Sequence, residues 1–136
     1  MDEIDSRLLT ELKKNARAGN TELAKKLRIS EGTVRNRINR LIEVGTIIGF
    51  RADVSLKERF AAIVLVKTTA GKPTESIAEE ISKINGFDQA LEVTGEWDIV
   101  LLSSSESAED FNRFIEKVRK TKGVFETQSL IVLKKT

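Results

Sequence analysis

"SEGTVRNRINRL", residues 30–41, sets three arginines and two asparagines between Arg35 and Arg40 with no carboxylate among them. Val34, Ile38, Leu41 and the following Ile42 recur at helical spacing and form one apolar face. Glu31, Thr33, Asn36, Arg37 and Arg40 then share the opposite side, with Arg35 and Asn39 flanking it. A solvated helix face normally mixes both signs of charge, and this one does not. Its residue types are those that read a major groove: Arg pairs with guanine, Asn with adenine, and Thr meets base edges or a thymine methyl. Ser30 is the N-cap, and Gly45, after Glu43 or Val44, is the stop.

Working outward, "RIS" reads as a tight turn, and "ELAKKL" before it as a short helix capped by Asn20 that buries Leu23, Ala24 and Leu27. Before that, Ile4, Leu8, Leu9, Leu12 and Ala16 mark a first helix, capped by Asp2 or Asp5 and broken in "ARAGN" at Gly19. Three helices with a three-residue turn between the second and third make a helix-turn-helix. Lys25, Lys26 and Arg28 on the second helix and turn are placed to meet backbone phosphates. Residues 13–40 hold nine basic and two acidic side chains, the footprint of a nucleic-acid surface. Candidate DNA contacts are therefore Ser30, Thr33, Arg35, Asn36, Arg37 and Arg40, with Lys25, Lys26 and Arg28. Thr33, Asn36, Arg37 and Arg40 face the groove. Arg37 has an alternative, an ion pair to Glu22 or Glu43 that orients the helix.

The remainder has a different charge and rhythm. Residues 1–59 carry 13 basic and 9 acidic side chains, residues 60–136 carry 10 and 12, so a basic module is joined to a mildly acidic one. "TIIGFRADV" reads as a linker strand leading out of the first module. From Phe60, "FAAIVLVKTT" is a strand, "PTESIAEEISKI" a helix with Ile77, Ile81 and Ile84 inward, and "FDQALEVTG" and "WDIVLLSS" are strands meeting at Gly95. "SAEDFNRFIEKVRK" buries Phe111, Phe114, Ile115 and Val118, and "VFETQSLIVL" is the last strand. The order βαββαβ predicts a ferredoxin-like plait, both helices on one face of a four-stranded antiparallel sheet. The expected fold is thus α+β: a three-helix, winged-helix-like helix-turn-helix over 1–45, a linker strand or hinge over 46–59, and the plait over 60–136. "AAIVLVK" and "IVLL" are apolar at consecutive positions, so the sheet face opposite the helices also wants cover. A second copy of the sheet is the simplest.

Composition narrows function. The 136 residues hold no cysteine, histidine or tyrosine, which removes disulfides, thiolate metal sites, the commonest general base and a frequent acid, and argues against an enzyme. No cofactor or metal is expected. No apolar run approaches the roughly 20 residues that span a bilayer, and the acidic "MDEIDSRLL" lacks the basic start of a signal peptide; a cytoplasmic protein without membrane contact is expected. "AGKPTES" lacks the glycine spacing of a phosphate loop.

"DSRLLTELKKNAR", "ELAKKL", the Ser30 start, "RNRINRL" and "GTIIGF" resemble the N-terminal half of the leucine-responsive regulatory protein (Lrp/AsnC) family, and "VTGEWDIVLL" resembles its effector domain. Essentially the whole chain is covered. The chain departs from the general helix-turn-helix pattern at Arg28, a turn position often held by glycine. The resemblance implies a transcriptional regulator of duplex DNA that assembles as dimers and octamers and binds a free amino acid or similar metabolite between neighbouring effector domains. It directs attention to Thr94, Gly95, Glu96, Trp97 and Asp98. Turn N–H groups there could hold a carboxylate, and Glu96 or Asp98 an ammonium. Without the resemblance, these residues are a hairpin turn with a solvent-facing Trp97 and an Asp98 that fixes the turn. Thr127 and Ser129 could add hydroxyls from a neighbouring subunit. A dimer pairs two recognition helices, so a palindromic operator is expected. The alternative is an architectural DNA-binding protein that responds to no ligand.

Overall fold

The first helix, α1 (Glu3–Lys14), starts in a reciprocal capping box: Asp2 accepts from the Asp5 N–H, and Asp5 from the Asp2 N–H. The computed structural model describes all residues, 1–136. α1 ends earlier than its apolar spacing predicts. Asn15 caps it and its side-chain oxygen accepts from the Arg17 N–H, an Asx turn that leaves Ala16 outside the helix. α2 (Asn20–Leu27) is capped by extended Gly19, not by Asn20, which is its first residue. Arg28 then takes the left-handed conformation, φ 56°, ψ 47°, and turns the chain into α3 (Glu31–Glu43). A side chain there costs about 1 kcal/mol, and the domain carries it. Ser30 is extended, and its Oγ accepts from the Thr33 N–H at 3.1 Å.

Leu8, Leu12, Leu23, Leu27, Val34 and Leu41 form the core of this unit, with Ile38 packed against it. Ile42, expected inward, is 45 % exposed, while its neighbour Leu41 takes the buried position in the last turn of α3. The expected linker strand and wing are not strands. Residues 46–59 form no ladder, since no second extended segment of the chain lies beside them to accept or donate its bonds. Instead the Ile47 N–H donates to the Leu41 carbonyl and Ile47 folds back onto the helical core. The chain divides into two compact units, residues 1–54 and 55–136.

In the second unit β1 (Phe60–Thr68), α4 (Thr74–Ser82), β2 (Phe87–Glu92), β3 (Ile99–Ser105), α5 (Ala108–Lys120) and β4 (Val124–Ile131) follow in the expected order. The sheet is antiparallel with strand order β2-β3-β1-β4. Ala62, Val64, Val66, Ile99 and Leu101 point to the helices and bury against Ile77 and Ile81 of α4 and Phe111, Phe114, Ile115 and Val118 of α5. Gly123, at φ 98°, opens β4 where a Cβ would lie 2.6 Å from Ile77 Cδ1, so only glycine fits. On the other face Ile63, Leu65, Val100 and Leu102 are half-buried, beside Leu91 and Leu130 at 46 % and 44 % exposure. No helix is long and apolar enough to cross a membrane.

Candidate nucleic-acid face and effector loop

On α3 the polar side chains fall into two groups. Arg35, Asn36, Asn39 and Arg40 are exposed, and none bonds to another part of the chain. Lys25 and Arg28 are likewise exposed. Thr33 is half-buried and shares a 2.8 Å hydrogen bond with the Ser30 hydroxyl, so both sit at the capped start of the helix. Glu31, the one acid of the first turn, accepts from Thr21 Oγ1 at 2.7 Å and is drawn back onto α2.

Two expected contacts are engaged inside the chain. Lys26 pairs with Glu11 at 2.9 Å and Glu22 at 3.3 Å, tying α2 to α1. That pairing raises its pKa, Glu11 contributing most, and lowers that of Glu11. Arg37 does form an ion pair, but not with Glu22 or Glu43. Its Nη1 lies 2.8 Å from Asp2 Oδ2 and 2.8 Å from Asp5 Oδ1. The actual partners, 35 and 32 residues away in sequence, are brought in by the packing of α1. The guanidinium, then the Asp2 N–H, hold the Asp5 carboxyl below its usual range; for Asp2 the Asp5 N–H comes first and Arg37 second. From the sequence Asp2 and Asp5 are read only as alternative caps of the first helix, and Arg7 and Glu11 are not singled out. Arg7 donates to the Lys26 carbonyl at 3.2 Å. The signal that could have found the two aspartates is the Asp-x-x-Asp spacing of the capping box.

In the second unit, the loop between β2 and β3 is Val93–Asp98. Gly95 has φ 117°, and a Cβ there would meet nothing within 4 Å: glycine serves the turn and leaves open space. Thr94 and Glu96 are exposed, Trp97 and Asp98 half-buried. Asp98 is held on three sides. Its N–H donates to the Val66 carbonyl, its carbonyl accepts from Val93, and its Oδ2 accepts from the Thr68 N–H at 2.8 Å and Oγ1 at 3.2 Å. Lys67 Nζ lies 5.1 Å from the Trp97 ring centroid, 3.5 Å from Glu96 and 3.7 Å from Glu126. Trp97 is therefore not simply solvent-facing, and Lys67, Thr68 and Glu126 belong to the loop although its sequence does not show them. Thr127 and Ser129 are on the other side of β4 from Glu126, and Thr127 accepts from Arg119 of α5 at 3.3 Å. Within one chain they do not join the loop. No group of acidic, histidine or cysteine side chains could hold a metal ion.

Known proteins match this arrangement at both ends. Residues 1–42 match the AsnC-type helix-turn-helix domain and residues 61–136 the Lrp/AsnC ligand-binding domain. The chain is 41 % identical over 134 residues to the HTH-type transcriptional regulator LysM of Sulfurisphaera tokodaii, covering 98 % of this chain and 96 % of that one. The Mycobacterium tuberculosis leucine response regulatory protein superposes with a TM-score of 0.81 at 25 % identity, over 99 % of this chain and 94 % of that one. A Neisseria meningitidis transcriptional regulator, solved as a complex with L-methionine, superposes with a TM-score of 0.75 at 25 % identity, over 98 % and 90 %.

Proposed function

The chain belongs to the Lrp/AsnC family of transcriptional regulators, and on that premise we propose that it binds a palindromic operator and that a free amino acid modulates this binding. The observation that carries the DNA reading is the exposed face of α3, where Arg35, Asn36, Asn39 and Arg40 have no partner within the chain. Side chains left unengaged in this way bind bases without first breaking internal bonds. Asn36 and Arg40 read base edges, while Lys25, Arg28, Arg35 and the Ser30–Thr33 cap hold phosphates. Lys26 and Arg37 support the face from behind.

Two copies joined through the open face of the sheet bring two recognition helices to one duplex, with half-sites about one helical turn or a multiple apart. Ile63, Leu65, Val100 and Leu102 form the centre of that contact, and dimers assemble further, as far as octamers. The functional divisions are 1–45 for DNA, 46–59 as hinge and 60–136 for effector and assembly, in a cytoplasmic protein.

Thr94–Asp98 forms one wall of the effector site. Its turn N–H groups and Lys67 suit a carboxylate, Glu96 and the free Asp98 oxygen an ammonium, and Thr127 and Ser129 come from a neighbouring subunit. L-methionine in a structural relative supports an amino-acid ligand without fixing which one.

The test has two arms. Duplexes selected from a randomised pool should be palindromic, Asn36→Ala should relax one or two positions, and Lys25→Ala should weaken all sequences alike and lower the salt slope by about one. Uniform loss from both variants would refute the groove assignment. Separately, Trp97 emission is followed during titration with each of the twenty amino acids. A saturable change with one or two of them is expected; silence from all twenty, in protein that binds DNA, would favour the architectural reading.

A further inference from the structure

In the helical unit the carboxylates of Asp2 and Asp5, at the start of α1, meet the middle of α3. Asp5 is 3 % exposed, and both acids converge on one nitrogen of the recognition helix. The same carboxylates form the capping box of α1, so the start of one helix and the middle of another share a single network. Their mutual repulsion is offset by the guanidinium between them and by the N–H groups that each caps. Arg37 Nε is also buried without a partner, a cost that a freely mobile arginine would relieve by swinging out. Its neighbours Arg35 and Arg40 are exposed; Arg37 is half-buried and fixed by three acceptor oxygens. Finally, α1 and α3 also share the apolar core of Leu8, Leu12, Val34 and Leu41, so the tie adds a directional polar link to a non-directional packing contact.

We propose that Asp2, Asp5 and Arg37 form a clamp that sets the angle of the recognition helix, with Arg37 a positioning residue that contacts neither base nor phosphate. The inference rests on the reading of α3 as the DNA-reading helix. It has a distinctive sign. Neutralising an acid near DNA ordinarily strengthens binding, because phosphate repulsion falls. If the acids act through Arg37, neutralising them weakens specific binding instead. Arg37 itself, though cationic, then makes no contribution to counterion release.

The experiment measures affinity of the full chain for the tightest duplex selected from a randomised pool and for a scrambled duplex, across a salt series. Asp5→Asn should lower affinity for the selected duplex roughly tenfold, leave the scrambled duplex unchanged or tighter, and preserve the salt slope. Arg37→Gln should do the same. Asp2→Asn, the exposed member, should show a smaller loss in protein whose circular dichroism is unchanged. A salt slope reduced by about one in Arg37→Gln, or selected-duplex affinity equal or higher in Asp5→Asn, would overturn the clamp. Amide hydrogen exchange of the free protein decides it independently of DNA: Asp5→Asn should speed exchange along α3, and unchanged exchange would also overturn it. Wild-type protein that binds both duplexes equally would refute the regulatory reading and leave the exchange result to judge the clamp.

Discussion

The exposed face of α3 and the loop at residues 94–98 are both candidate binding sites, yet the chain treats them oppositely. On α3 the candidate groove side chains Arg35, Asn36, Asn39 and Arg40 have no partners within the chain, whereas Arg37 of α3 and Lys26 of α2 are paired and tie the helices together. In the loop Asp98 and Trp97 are already engaged, by Thr68 and Lys67, and the hydroxyls expected to complete the site face elsewhere. Under the proposed function a rigid duplex meets a finished surface on each protomer, while a small effector has to displace or reuse what holds the loop and needs a second chain to close around it.

The comparison can be broken at several levels. The largest effect is expected in the cores. Leu8→Ala empties a fully buried position and should cost about 2–5 kcal/mol, melting the helical unit while Trp97 emission, which reports the second unit, persists. Simultaneous loss of circular dichroism and emission would mean that the units do not fold separately. Next comes the loop: Asp98→Ala leaves the Thr68 N–H without its acceptor, costs about 1–3 kcal/mol and alters Trp97 emission without any ligand. Unchanged emission would show the loop to be less engaged than described.

A pH series separates the clamp from the rest. The carboxyls of Asp2 and Asp5 titrate below their unfolded values, so their stabilisation is fully present above about pH 4 and is lost as pH falls through the lowered values. In urea melts wild type should therefore exceed Asp5→Asn at pH 6, with the gap closing in the acid range. A constant gap would count against the linkage. The smallest effect is at the turn. Arg28→Gly relieves about 1 kcal/mol of left-handed backbone strain but removes a proposed phosphate contact. The variant should melt slightly higher and bind DNA slightly less tightly, and a drop in both would deny the strain.

What was legible in the sequence was local. Ser30, Val34 and Leu41 lie within a few turns of one another, so spacing alone gave α3 its cap and buried face, and the consecutive apolar run in "AAIVLVK" gave a strand with two apolar faces. Asp98 meets Thr68 thirty residues away and Arg37 meets Asp2 thirty-five residues away, pairs that only tertiary packing creates. Ile42 and the linker failed for related reasons. An apolar residue at helical spacing is buried only where something faces it, and an extended segment becomes a strand only beside another. The family resemblance drew attention to Thr94–Asp98; nothing local pointed to Lys67.

The central claim is that the unengaged face of α3 reads sequence. The direct measurement is the ratio of affinities for the selected and scrambled duplexes at one fixed salt concentration, with Asn36→Ala beside wild type. A sequence-specific regulator predicts a ratio of roughly a thousand or more, reduced in Asn36→Ala. A wild-type ratio near unity would contradict it and identify a protein that coats DNA rather than reads it.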